Sequence, residues 1–250
     1  KAFTTTEMER KMEREISSNK NHQLTFFDLK VWELFMRPGE VIEARFIKVN
    51  GRMTFSGYFD SHDDFCKSVQ QTDKNQHAGA YVTLQVIDPR LIGRSFNRIR
   101  QSDLTTSDRD VCFYRWLPID IDPVRPTGIS SSDTELSSAI ALRDIVAEYA
   151  VAEMGFSRPI RAMSGNGAHL LFRLPDLPAN DQNKKMIKDI LNGLSQEFDN
   201  ETVKIDTSVF NPARIWKLYG TRARKGDDLP AGDYREARPH RISYIDDLGE

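Results

Sequence analysis

Two aspartates interrupt an otherwise apolar run in Arg115-Trp116-Leu117-Pro118-Ile119-Asp120-Ile121-Asp122-Pro123, and a proline closes it. Trp116, Leu117, Ile119 and Ile121 read as a buried β-strand bounded by Pro123 and the turn-like Arg125-Pro126-Thr127-Gly128. Side chains alternate along a strand, so Asp120 and Asp122 share one face while Ile119 and Ile121 take the other. Neighbouring carboxylates repel and are costly to bury, so a cation or strong hydrogen-bond donors belong between them, and a divalent metal with oxygen ligands is the simplest such cation. The alternative is that the pair ends the strand in water and caps the adjoining turn.

Three further stretches bear on that choice. Ser164-Gly165-Asn166-Gly167-Ala168-His169 is a glycine-rich turn into a strand, which frees backbone amides to face an anion and sets a serine and a histidine beside them; by itself it is also an ordinary hairpin turn. Val203-Lys204-Ile205-Asp206 is a short strand ending on an acid, either a third carboxylate for the first two or a cap for the next turn. From Asn211 to Gly226 the cations Arg214, Lys217, Arg222, Arg224 and Lys225 are interrupted by Ile215, Trp216, Leu218 and Tyr219, which reads as an ordered strand holding its cations in place. Together these supply three carboxylates for divalent metal, a turn with a histidine for phosphate, and fixed cations for the rest of a triphosphate. Nucleotidyl transfer needs that equipment: two metals activate the attacking hydroxyl and stabilise the leaving pyrophosphate. Gly93 to Arg100 interleaves cations with Phe96, a pattern that serves either a phosphate backbone or a solvated face.

The elements that position these residues are set by periodicity. Val41 to Val49, the turn Asn50-Gly51 and Met53 to Phe59 form a hairpin. Ser61 to Gln71 reads as a helix with Phe65 and Val69 inward, and Ala80 to Ile87 as a strand, completing a β-β-α-β unit. After the acidic strand, Ser132 and Glu135 make a capping box, and Leu142, Ile145, Val146 and Tyr149 keep the helical period until Gly155. Ile160 to Met163 and His169 to Leu174 are strands, and Met186, Ile187, Ile190, Leu191, Leu194 and Phe198 mark a second amphipathic helix. The order β-α-β-β-α-β over Leu117 to Asp206 is that of an RNA-recognition-like, split βαβ unit. Thr6 to Ser17 reads as an exposed charged helix.

The 250 residues suffice for one large domain or two modules sharing a cleft. A net charge of -2 excludes a generally basic nucleic-acid coat, so a polyanion would have to be met by local patches. Only Cys66 and Cys112 occur, which supports neither a disulfide framework nor a zinc site; both are expected to be free, packed thiols. No apolar run is long enough to span a bilayer and no signal-peptide pattern opens the chain, so a cytoplasmic location is expected. A chain that begins at Lys1 and not at Met reads as part of a longer protein.

The Asp120-x-Asp122 pair, the Gly167-x-His169 element and the Ile205-Asp206 pair resemble, in order, the three motifs of the archaeo-eukaryotic primase superfamily, closest to the primase-polymerases of plasmids, phages and CRISPR-associated systems. The likeness extends upstream through Ser56-Gly57-Tyr58-Phe59-Asp60 and Tyr81-Val82-Thr83-Leu84, and downstream through Gly220-Thr221, Lys225-Gly226 and Arg238-Pro239-His240-Arg241. It implies a mixed α/β (α+β) fold of two modules with the active site in the cleft between them. Residues 1–38 would be a helical extension, 39–116 the β-β-α-β module contacting template, and 117–250 the RNA-recognition-like catalytic module. It implies a template-directed nucleotidyltransferase that extends a 3′-hydroxyl, with de novo priming as a further capacity of the family. Asp120, Asp122 and Asp206 would hold two Mg²⁺ or Mn²⁺ ions and His169 would contact the incoming triphosphate. Ser164, with Gly165, Asn166 and Gly167, would seat it; Arg214 and Lys217 would neutralise its phosphates, helped by Arg222 and Lys225. Relatives often carry serine where Gly167 stands, and some carry arginine at Lys217. The zinc module of some relatives is not expected with two cysteines. Implied partners are single-stranded DNA template and primer, ribo- or deoxynucleoside triphosphates, and a fused or separate helicase, a C-terminal primase domain or CRISPR adaptation proteins; no membrane is implied. A metal-dependent nuclease would also use clustered aspartates but not triphosphate cations. A non-catalytic RNA-recognition module would instead expose aromatics on its central strands.

Overall fold

The computed structural model describes residues 23–47, 53–74, 79–233 and 235–249. The expected helix Thr6 to Ser17 and the Asn50-Gly51 turn lie outside the described residues.

The strands alternate as the sequence predicts and pair into two antiparallel sheets. In the first, β1 (Ile42–Ile47) pairs with both β2 (Thr54–Phe59) and β3 (Gly79–Thr83). The second is built on β6 (Val111–Pro123), which is flanked by β8 (Ala168–Pro178) and β9 (Val203–Ile205), with β7 (Ile160–Met163) outside β8. The short strands β4 (Val86–Ile87) and β5 (Arg100–Gln101) close an edge of the second and first sheets respectively. The spatial order β9-β6-β8-β7 is the split βαβ arrangement expected from the element order.

One pairing was not legible from local pattern. β10 (Ile215–Lys217) comes after the third acid yet joins β3, in the first sheet, while β11 (Tyr244–Asp247) returns to β7 in the second. The cation-rich stretch is therefore a three-residue strand followed by irregular chain. β6 also runs unbroken through Trp116 and Leu117, so the chain passes from the expected first module to the second within one strand. A register shift in β6 between Tyr114 and Trp116 is filled by Gln85, which lies between β3 and β4. Its carboxamide oxygen accepts from the amides of Arg115 (2.8 Å) and Trp116 (3.1 Å), and its Nε2 donates to the Trp116 carbonyl (2.8 Å).

Among the described residues there are four α-helices. α1 (Leu29–Phe35) buries Val31, Trp32 and Phe35, and the preceding Leu24 bridges to Ile245. α2 (His62–Asp73) is capped by Ser61 and buries Phe65 and Val69. α3 (Asp133–Ala152) carries the expected Ser132–Glu135 capping box. Its buried face differs from the apolar period: Leu136, Ala139, Leu142, Arg143, Val146, Ala147 and Ala150 face the sheet, whereas Ile145 is 56% exposed. Alanines let the helix approach closely, and Arg143 is tolerated because it pairs with Asp144 and Asp246. α4 (Asp181–Phe198), capped by Asn180, buries Ile187, Leu191 and Leu194. One apolar core joins Phe46, Phe65 and Val82 from the first sheet and its helix to Leu117, Ile119, Ile121, Val146 and Leu191 of the second. Cys66 and Cys112 are free, but Cys112 lies exposed on β6 and is not packed. Among the described residues no helix is long and apolar enough to cross a membrane.

Candidate active site

The strand register assembles the acidic row. Asp120 on β6 lies directly opposite His169 on β8, and on the other side the Asp206 amide donates to the Asp120 carbonyl at 2.8 Å. Asp206, one residue past the end of β9, thus stands beside Asp120 and His169 on the adjacent strands β6 and β8, with Asp122 two residues along β6 on the same face. Opposite them, β10 brings Lys217 across from the first sheet, paired in register with Tyr81 of β3. A cavity of about 370 Å³ between these walls is lined by Asp120, Asp122, Asp206, Ser164, Asn166, His169, Arg214, Lys217 and Lys225.

Each acid already has a partner. His169 Nε2 lies 3.3 Å from Asp120 Oδ1, and its Nδ1 meets the Tyr219 hydroxyl at 2.8 Å, which also accepts from Trp216 Nε1 at 2.8 Å. Asp122 pairs with Arg125 at 3.4 Å. Asp206 Oδ1 accepts from the Ser208 amide at 2.8 Å, closing an Asx turn. Among the described residues no group of three or more His, Cys, Asp or Glu side chains stands in an arrangement that could hold a metal ion. The donor type, carboxylate oxygens lining one cavity, is the one a hard divalent cation takes, although the three do not converge on one point here.

Charge is distributed unevenly. Burial, then the neighbouring Asp120 charge, pushes the Asp122 carboxyl up, against the pull of Arg125, Lys225 and His169. Burial acts on Asp120 too, yet His169, with Lys225 and Arg214, holds it below the usual carboxylate range. Lys217 is 7% exposed, among the described residues donates only to the Arg222 carbonyl (3.3 Å), and burial brings its ammonium down to about 7. The Tyr81 phenol is pushed up by burial and by Asp120.

The glycine turn is closed by its own hydrogen bonds. Ser164 Oγ accepts from the Gly167 amide (3.0 Å) and donates to the Gly167 carbonyl (3.1 Å), while the Gly165 amide meets Met163 sulfur at 2.7 Å. Asn166 is buried and accepts from the Ser131 amide at 2.9 Å. Gly165 has φ +108° and backs onto Ala223. A Cβ at Gly167 would come within 2.6 Å of the Ile121 carbonyl and 2.7 Å of Asp122 Oδ1, so the acidic strand itself requires glycine there. Of the expected cations, Arg214 lines the cavity while donating to the Ser208 carbonyl (2.6 Å) and hydroxyl (2.8 Å), and its buried Nε has no partner among the described residues. Arg222 is not on the cavity wall: its guanidinium donates to the His240 carbonyl at 2.5 Å. Arg224 lines it instead, paired with Asp73 at 3.3 Å.

Sequence reasoning did not single out Tyr81, Trp216, Val209 and Ile47 as cavity residues. Only Tyr81 carried a signal: alternation along β3 sets it on the face opposite Val82.

No protein-family model matches the sequence, and no curated protein does. The fold is similar to that of the archaeo-eukaryotic primase domain of the cyanophage S-2L primase-polymerase, with a TM-score of 0.51 at 11% identity, covering 88% of this chain and 90% of that one. The polymerase domain of Mycobacterium tuberculosis Ligase D, solved in complex with DNA, gives a TM-score of 0.45 at 14% identity, covering 87% of this chain and 79% of that one.

Proposed function

Starting from an archaeo-eukaryotic primase-type fold, we propose that this chain is a template-directed nucleotidyltransferase, a primase-polymerase that joins the α-phosphate of an incoming nucleoside triphosphate to a 3′-hydroxyl. The observation that carries the reading is the composition of the cavity: three carboxylates and a histidine on one sheet face Lys217 from the other, with Arg214 and Lys225 between. A nuclease needs the acids but does not need cations to hold a triphosphate.

In this reading Asp120, Asp122 and Asp206 would hold divalent ions, Mg²⁺ or Mn²⁺, whose chemistry when bound would be to polarise the attacking hydroxyl and the transferring phosphoryl group. The rest is done by the chain. Arg214, Lys217 and Lys225 neutralise the triphosphate. His169 holds Asp120 in its charged form and, by exchanging that contact, meets a phosphate oxygen. Tyr219 fixes the imidazole from behind. The triphosphate also adds negative charge beside the buried Lys217 ammonium.

Primer extension on a single-stranded template, with and without primer, with ribo- or deoxynucleotides and Mg²⁺ or Mn²⁺, tests the proposal. Template-dependent products lengthening by single nucleotides are expected. Degradation of labelled DNA without added nucleotide, and no extension, would make the chain a nuclease.

A further inference from the structure

Within the acidic cavity, the wall made by the first sheet changes character from one strand to the next. β10, at the sheet edge, brings Lys217, and Arg214 and Lys225 line the same cavity. β1 and β3 bring Ile47, Gly79 and Tyr81, none of them charged. Lys217 and Tyr81 are register partners on adjacent strands, so only about 5 Å of backbone separates the cationic end of the wall from the uncharged end. A triphosphate held by the cations leaves its nucleoside to the uncharged end.

One polar group stands there. Tyr81 is half-buried on the cavity wall, and among the described residues its hydroxyl has no hydrogen-bond partner. Trp216 lines the same wall, but its indole N–H is already given to the Tyr219 hydroxyl. Burial and the charge of Asp120 push the Tyr81 phenol up, so it stands as a neutral hydroxyl that can both donate and accept. Its ring is placed by the strand: a Cβ at Gly79, two residues back on the same face of β3, would strike the Tyr81 hydroxyl, so glycine lets the phenol lie along the sheet.

Which part of a nucleoside this hydroxyl meets follows from the reaction. A template-directed enzyme takes each base in turn, and the base edges carry different donors and acceptors, so one fixed hydroxyl cannot serve them all. The sugar is the part that stays the same. A group that both donates and accepts is matched by the neighbouring 2′- and 3′-hydroxyls of ribose, of which deoxyribose keeps only one.

We infer that Tyr81 reads the sugar in this cavity, its hydroxyl bound to the ribose diol, and that ribonucleoside triphosphates are the preferred substrates. The inference rests on the transfer reading and names the substrate class which that reading leaves open.

Tyr81→Phe removes the hydroxyl and keeps the ring. Parent and variant are compared in two measurements: kcat/KM for single-nucleotide primer extension with ATP and with dATP opposite a template thymine, and affinity for the same two nucleotides by titration calorimetry with Ca²⁺ as the only divalent ion. The parent is expected to favour ATP in both. Loss of one hydrogen bond to the sugar is expected to lower both ATP values about tenfold and to change those for dATP far less. If the parent extends primers but favours dATP, or if Tyr81→Phe leaves the ratio of ATP to dATP where it was, the inference is overturned while the transfer reading stands. If neither protein extends a primer, the transfer reading fails, and the ratio of affinities alone decides whether Tyr81 reads ribose. A third variant, Tyr81→Leu, separates the hydroxyl from the ring: better use of ATP by that variant than by the parent would mean that the ring excludes the 2′-hydroxyl, which overturns the inference as well.

Discussion

His169 and Asp120 face one another directly across β6 and β8, imidazole Nε2 3.3 Å from carboxylate Oδ1. Burial alone would raise Asp120; His169 is the main reason it stays charged. His169→Ala is therefore expected to move the acid limb of the pH–rate profile to higher pH and to raise the KM for nucleotide. Mn²⁺ affinity by titration calorimetry is expected to stay within a few-fold of the parent. A large loss would make His169 a metal ligand.

Gly167→Ser tests how tightly the turn is pressed on the acidic strand. The new Cβ would lie 2.6 Å from the Ile121 carbonyl, a backbone atom that cannot step aside. Overpacking of this kind costs about 1–3 kcal/mol. A lower melting temperature with reduced incorporation is expected; an unchanged melt would show that the strand can yield.

Lys217 gives a pH signature. Its folded value is about 7, while an unfolded lysine keeps its proton to about pH 10.4. Between those limits the unfolded chain binds more protons, so stability rises with pH across the window, and below pH 7 the folded state bears the full cost of the buried charge. Lys217→Met is expected to raise the melting temperature below pH 7 and flatten that rise. Lys217→Ala and Arg214→Ala are each expected to raise the KM for nucleotide by the loss of a contact of about 1.5–3 kcal/mol. If template affinity falls while that KM holds, β10 faces nucleic acid instead.

Asp122 carries the opposite sign. A carboxyl raised by burial and by Asp120 contributes stability that is present below its unfolded pKa and lost as pH rises through its folded one, so at neutral pH it is a cost. With chelator, Asp122→Asn is expected to melt at or above the parent. Mn²⁺ is expected to raise the parent's melting temperature much more than the variant's. A destabilised, metal-indifferent and still polymerising Asp122→Asn protein would end the active-site proposal.

The acidic face was legible because strand alternation is local: Asp120 and Asp122 share a face whatever the rest of the chain does. Capping at Ser132 and the βαββαβ order were legible for the same reason. What depends on distant partners was not. Lys217 is buried only because β10 crosses to β3, a pairing for which no nearby residue codes. Ser164 spends its hydroxyl on its own turn, a matter of turn geometry and not of residue type. The phase of α3 was misjudged because its contact face is built from alanines and a paired arginine, which apolar counting overlooks.

The stretch 206–214 leaves Asp206 beside one sheet and delivers β10 to the other, and the same apolar core underlies both. The two walls of the cavity therefore belong to one cooperative unit. In native-state hydrogen exchange the amides of β1 and β3 are expected to open with those of β6 and β8, at one free energy and not in two steps.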